Sequence, residues 1–304
     1  MIERNETLLK KVQELKKQRN AVILAHNYQI GEVQDVADFI GDSFELSRIA
    51  AKQSADVIVF CGVYFMAETA AILAPDKIVL LPEISAGCPL ADTITAESLR
   101  RKKAEHKGAA VVTYVNSSAA VKAESDICVT SSNALKVVNS LDADEILFVP
   151  DMNLGSYIAE QTEKRLILWE GNCVVHHRVT LEDITAARKA HPDAVLIVHP
   201  ECRPEVVKAA DHAFSTGAMI SFAKETSHEK IIVGTEMGLI YRLEKENPNK
   251  QFYLLSKSLI CPDMKSTDLE KICRALESMH PRVIVPEPVC DLARIPLERM
   301  LAVL

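Results

Sequence analysis

Three short stretches each place one cysteine after an apolar run: Ser85-Ala86-Gly87-Cys88-Pro89-Leu90, Glu170-Gly171-Asn172-Cys173 and Leu259-Ile260-Cys261-Pro262. The intervals are 85 and 88 residues (173 − 88 and 261 − 173). Such even spacing suggests three similar units, each offering one thiolate to a shared point. Three converging soft thiolates suit an iron–sulfur cluster or zinc, and three where a closed site has four leave one metal position open to another ligand. The remaining cysteines read differently. Cys61 and Cys128 fall in or at the end of apolar strands, Cys273 in a helix and Cys290 beside a proline-rich turn, where a free cysteine serves as a small core residue. Cys202 stands at a strand edge beside Glu201 and competes for the open position.

The elements that must position these residues follow one pattern: a short β-branched run, a turn of small or polar residues, then a helical segment. Expected strands are Val22-Ala25, Val57-Phe60 and Ile78-Leu81, then Ala110-Val115, Asp126-Val129, Ile146-Val149 and Leu166-Trp169. Ala194-Val198, His212-Phe214, Ile231-Val233 and Phe252-Leu255 follow, with Arg282-Val285 near the end. Three sets of four emerge if that last strand returns to the first unit. The expectation is an α/β protein of three similar three-layer αβα units with parallel sheets, in a pseudo-threefold arrangement around a central cavity. The units are placed at residues 1–87 plus 281–304, 88–172 and 173–280. Thr95-Ala-Glu-Ser98, Thr180-Leu-Glu-Asp183 and Ser266-Thr-Asp-Leu-Glu270 read as helix starts capped by a hydroxyl. Parallel α/β sheets carry chemistry outside the carboxyl ends of their strands. Those positions here are polar throughout, among them His26-Asn27-Tyr28-Gln29, Tyr114-Val115-Asn116-Ser117, Asp151-Met152-Asn153, His199-Pro200-Glu201-Cys202 and Gly234-Thr235-Glu236.

Composition narrows the partner. A net charge of −7, scattered basic residues and 5% aromatics argue against a nucleic-acid surface and for a small molecule. The charged N-terminal segment, a helix over Met1 to Lys17 with apolar Ile2, Leu8, Leu9, Val12 and Leu15, lacks the apolar core of a secretory signal. The longest apolar stretch, Val57 to Ala67, falls short of the ~20 residues of a spanning helix. A cytoplasmic protein with reduced cysteines and no membrane role is expected.

Leu24-Ala25-His26-Asn27-Tyr28-Gln29, Gly41-Asp42-Ser43, Tyr114-Val115-Asn116-Ser117, His199-Pro200-Glu201-Cys202 and Ser215-Thr216-Gly217 together resemble the quinolinate synthase (NadA) family over essentially the whole chain. The resemblance implies a pseudo-threefold αβα enzyme holding a 4Fe-4S cluster on Cys88, Cys173 and Cys261. It implies condensation of iminoaspartate with dihydroxyacetone phosphate to quinolinate, phosphate and water in NAD biosynthesis, with the open iron as Lewis acid, and an L-aspartate-oxidising enzyme as the iminoaspartate source. Two departures stand out. Some members carry a Cys-x-x-Cys-x-x-Cys run where Cys261 is here followed by Pro262, Asp263, Met264 and Lys265. Many have Cys-Pro at the second ligand, where this chain has Cys173-Val174, and Cys173-x-x-His176 could be half of a zinc site or could leave His176 simply hydrogen-bonded.

Carried over by motif, Glu201 is the general base, with a pKa that a closed cavity can raise toward neutrality. His26 and Tyr28 are catalytic proton relays. Ser215 and Thr216 before one helix, and Ser43 before another, suit phosphate, and Asp42 is counted among the substrate-binding residues. Tyr114, Asn116, Ser131 and His199 are left to hold carboxylates, with His26 and Glu201 also touching substrate. The reading from another class is a non-catalytic iron–sulfur carrier or redox sensor that uses Cys202 as a fourth ligand.

Overall fold

A strand with apolar residues on both faces cannot leave either face in water, and the first strand of each of the three repeats is of this kind. In the computed structural model, which describes residues 2–303, Val22 and Leu24 of β1 (Ala21–His26) enter one core cluster while Ile23 and Ala25 enter another on the opposite face. Met1 and Leu304 lie outside the described residues, as do the side chains of residues 2–5, Ile2 among them.

The first sheet is completed by β2 (Phe39–Gly41), β3 (Val57–Cys61) and β4 (Ile78–Leu80), in the order β2-β1-β3-β4. β5 (Ala110–Tyr114), β6 (Ile127–Val129), β7 (Glu145–Val149) and β8 (Arg165–Leu168) repeat it as β6-β5-β7-β8. β9 (Val195–Val198), β10 (His212–Ala213), β11 (Lys230–Gly234) and β12 (Gln251–Leu254) repeat it again as β10-β9-β11-β12. Every pairing in the three sheets is parallel, and helices flank them, giving three similar α/β units. In each, the chain leaves the first strand to one side and returns for the third on the other. That reversal opens a crevice at the carboxyl ends, where ligands of open α/β sheets bind.

The repeat extends to hydrogen bonds. The aspartate that precedes each second strand accepts from the first strand: Ile23 N–H donates to Asp38, Val111 to Asp126 and Leu196 to Asp211, each at 2.7 Å. The same three aspartates donate their own N–H to the carbonyls of Ile23, Val111 and Leu196 at 2.9 to 3.0 Å. These exchanges splice a short edge strand onto the sheet without a long ladder.

The fourth strand of the first sheet differs from expectation. It is the three-residue β2, too short to show a period in the sequence, while Arg282-Val285 forms no strand. Arg282 makes a single antiparallel bridge to Leu80, and Val283 donates its N–H to Val79 O at 2.9 Å. The helix Val289–Ala302 then packs on β6 and on the helices Tyr64–Leu73 and Ala119–Lys122, joining the first and second sheets. The N-terminal helix Ile2–Arg19 packs against the helix Leu269–Ser278. Thr95 and Thr180 make full capping boxes with Ser98 and Asp183, whereas the third helix is capped by Asp268 instead of Ser266. Among the described residues, no helix is long and apolar enough to cross a membrane.

Candidate active site

The carboxyl ends of the three sheets surround one cavity of about 280 Å³. Its wall is built in threefold sets, because each unit brings the same strand-end positions to it. The residues at the ends of the first strands are His26, Tyr114 and His199; those two further on are Tyr28, Asn116 and Glu201. Past the second strands come Ser43, Ser131 and Thr216, and past the fourth strands Cys88, Cys173 and Cys261. All twelve line the cavity, as does Asp42. Ser215 does not: its hydroxyl caps the helix Thr216–Glu225, accepting from Ala218 N–H.

Glu201, His199 and His26 are almost completely buried, so their hydrogen bonds decide their state. His26 Nδ1 accepts from Tyr28 N–H at 3.2 Å and His199 Nδ1 from Glu201 N–H at 3.3 Å. With Nδ1 accepting, the neutral ring carries its proton on Nε2. Burial lowers both imidazoles to about 3, so they are neutral at pH 7. A connected chain runs from Tyr28 to Glu201. Tyr28 OH lies 2.5 Å from Thr235 Oγ1, Thr235 Oγ1 2.9 Å from His176 Nε2, and His176 Nδ1 2.7 Å from Glu201 Oε2. His176 Nδ1 also lies 3.2 Å from Cys173 Sγ. Burial pushes the Glu201 carboxyl up, but the His199 and His176 rings beside it and hydrogen bonds from His176 and Tyr114 outweigh it, so the net direction is downward. This corrects the expectation of a raised pKa: the cavity around Glu201 is lined by donors, so the carboxylate is stabilised. Its other oxygen, Oε1, and Asn116 Oδ1 are buried without a hydrogen-bond partner among the described residues. Two buried polar atoms facing a cavity without partners mark the places a ligand would satisfy.

The neutral imidazoles make stability pH-dependent. A histidine whose folded pKa is lowered contributes stability fully above its unfolded value near 6.5 and loses it as the pH falls toward about 3, because only the unfolded chain takes up the proton. Each should cost on the order of 1 kcal/mol per pH unit in that window. The thermal midpoint of the native chain should therefore fall between pH 6.5 and 4 more steeply than that of His199→Gln; parallel curves from calorimetry would contradict the burial of a neutral His199.

Asp42 caps its own helix, accepting from Glu45 N–H at 2.9 Å, and also meets the start of the helix Thr216–Glu225 from the third unit. A Cβ on Gly217 would stand 2.9 Å from Asp42 Oδ2, which is why glycine follows Thr216. That helix start is thus already answered by a carboxylate, and Thr216 Oγ1, held by Asn27 Nδ2 at 3.3 Å, is the group left to face an anion.

Burial raises the thiols of Cys88, to about 12, and of Cys173 and Cys261, so metal ligation at these residues must release protons. Cys202 lies apart, fully buried in the third unit's core with its Sγ toward Gly234 O at 3.7 Å, and does not line the cavity. Cys61, Cys128, Cys273 and Cys290 are likewise buried away from it. His176 has both ring nitrogens engaged, which favours the hydrogen-bonded reading over half of a zinc site. Its nitrogen, Cys173 Sγ and a Glu201 oxygen still lie within 4.8 Å of one another, a donor group suited to metal. Thr235 escaped the sequence reading as a relay member; its position two residues after an apolar strand run and next to Glu236 was the available signal.

The chain is similar to known proteins over nearly its whole length. The model of the family described as "Quinolinate synthetase A protein" (NadA) matches residues 10–302. "Quinolinate synthase 1" of Methanosarcina acetivorans is 55% identical over 296 residues, covering 97% of each chain. "Quinolinate synthase" of Dehalococcoides mccartyi (strain CBDB1) is 56% identical over 298 residues, 98% of this chain and 99% of its own. The protein of that name from Geobacter sp. (strain M21) is 55% identical over 298 residues, 98% of each.

Proposed function

Because the chain belongs to the quinolinate synthetase A (NadA) family and is therefore an enzyme of NAD biosynthesis, we propose that it condenses iminoaspartate with dihydroxyacetone phosphate to quinolinate, phosphate and water. The observation that carries this reading is a single cavity lined both by three threefold-related cysteines and by neutral imidazoles, a carboxylate and hydroxyls. The donor set fits a 4Fe-4S cluster: three thiols from equivalent loops, with Cys202 turned into the core. Held by Cys88, Cys173 and Cys261, the cluster would supply Lewis acidity toward a substrate oxygen.

The chain's own groups divide the remaining work. Asn116, Tyr114, Ser131 and the Nε2–H of His199 hold the carboxylates of the dicarboxylate partner. Thr216 and Ser43, with Asp42 fixing the helix starts between them, hold the phosphate. Glu201 keeps His176 oriented with its proton on Nδ1, so Nε2 can take a proton from Thr235 and, through it, from Tyr28. That sequence delivers a base at the Tyr28 oxygen, and its reverse delivers an acid, which tautomerisation and the dehydrations both need. His26 offers an Nε2–H beside Tyr28, their rings edge to face at 4.6 Å. An L-aspartate-oxidising enzyme supplies the imine, which is too readily hydrolysed to accumulate.

The direct test is anaerobic incubation of iron-reconstituted protein with both substrates. Quinolinate and phosphate should appear in equal amounts and only when both substrates are present; iron uptake without product would favour the carrier reading. Thr216→Val should weaken dihydroxyacetone phosphate more than iminoaspartate, by about tenfold or more for one charge-assisted hydrogen bond. Steady-state kinetics showing equal weakening of both would place Thr216 elsewhere.

A further inference from the structure

The three cysteine loops are anchored alike, with one difference. In each unit a residue just past the third strand donates its N–H to the carbonyl two positions before the cysteine: Tyr64 to Ala86 at 2.8 Å, Met152 to Gly171 at 2.7 Å and Met237 to Leu259 at 2.9 Å. The residue before that donor is Asp151 in the second unit, Glu236 in the third and Val63 in the first. Asp151 and Glu236 are completely buried. Asp151 accepts from Leu154 N–H at 2.8 Å with one oxygen and from Cys173 N–H at 2.9 Å with the other. Glu236 accepts from Gly238 N–H at 2.7 Å and Lys265 Nζ at 2.8 Å with one oxygen, and from Cys261 N–H at 3.0 Å with the other. Although Glu83 of the Cys88 loop accepts from Ser85 N–H at 3.1 Å, that loop meets valine instead of a carboxylate at the equivalent place. Its Gly87 N–H donates instead to Asp263 Oδ1 at 3.0 Å, and Asp263 belongs to the Cys261 loop.

A buried carboxylate is costly and persists only where its hydrogen bonds repay the desolvation. Val63 demonstrates that the equivalent place accepts an apolar side chain, so packing alone does not require an acid there. We propose that Asp151 and Glu236 are positioning residues of the metal centre: they preset the loops of Cys173 and Cys261 before metal arrives, whereas in the Cys88 loop the amide beside the cysteine is held by Asp263 of another loop. Glu236 does more than Asp151, since Lys265 also donates to Tyr28 O and ties the Cys261 loop to the relay. The inference rests on Cys88, Cys173 and Cys261 being the ligands, as proposed above.

Hydrogen–deuterium exchange on the full chain, before and after anaerobic iron–sulfur loading, reads the loops directly, and iron transfer to a ferrous chelator reads the loaded protein. Before loading, the amides of residues 171–175 and 259–263 should exchange more slowly than those of 86–90. Asp151→Asn and Glu236→Gln keep the volume but replace one accepting oxygen with a donor. Each should accelerate exchange in its own loop, and iron release from the loaded protein, on the order of tenfold; Asp263→Asn should accelerate only the Cys88 loop. Equal exchange in all three loops of the native chain would overturn the proposal even if a variant fails to fold, and so would native exchange and release rates in both carboxylate variants. Iron uptake by the native chain reads the ligand assignment separately, so loss of that reading is not mistaken for loss of this one.

Discussion

Glu201→Gln should retain the metal centre and lose turnover by about 100-fold or more. The substitution keeps the shape of the side chain but removes the anion that holds His176 with its proton on Nδ1. An amide can present its own N–H to Nδ1 and force the opposite tautomer, which leaves Nε2 a donor and breaks the path to Thr235 and Tyr28. The hydrogen bonds that the carboxyl receives favour its ionised form, which is the form that accepts from His176 Nδ1. Single-turnover quinolinate formation with iron content measured on the same sample checks the result. Full activity in this variant would remove the carboxylate from the mechanism.

The second large effect concerns the thiols. Serine at Cys88, Cys173 or Cys261 should each abolish cluster absorbance in anaerobically reconstituted protein and with it all activity, since three ligands leave none to spare. Serine at Cys61, Cys128 or Cys202 should keep both, because these side chains pack into the cores and away from the cavity. Iron and sulfide determination with the visible spectrum distinguishes the two groups. A variant at any of the first three that keeps a full cluster would break the assignment, and a lost cluster in Cys202→Ser would revive the four-thiolate carrier.

The parts of this architecture that repeat were legible in the chain. Even cysteine spacing, apolar runs buried on both faces and polar residues just beyond them led to three parallel α/β units around a cavity, because burial fixes strands and the strand ends fix what they present. Phe39–Gly41 was not legible, since a three-residue edge strand held by an aspartate exchange has no period to read. Arg282-Val285 misled for the converse reason: its β-branched residues cover the edge of β4 without laddering. At the site, His26, Tyr28, Glu201 and Thr216, which the family resemblance singled out, line the cavity at or just past strand ends, whereas Ser215 serves as a cap. The link through Thr235 depends on Tyr28 reaching in from another unit, and the surroundings of Glu201 on side chains distant in the chain, and no local pattern encodes that. The same holds for Asp151 and Glu236, whose acidity becomes meaningful only beside the valine at the equivalent place.

The central claim is that metal and substrate share one cavity. Mössbauer spectroscopy of ⁵⁷Fe-reconstituted protein, with and without a dicarboxylate ligand, tests it most directly. The account predicts that the signal of one iron shifts when the dicarboxylate binds while the others stay in place. A spectrum unchanged at saturating ligand would contradict it.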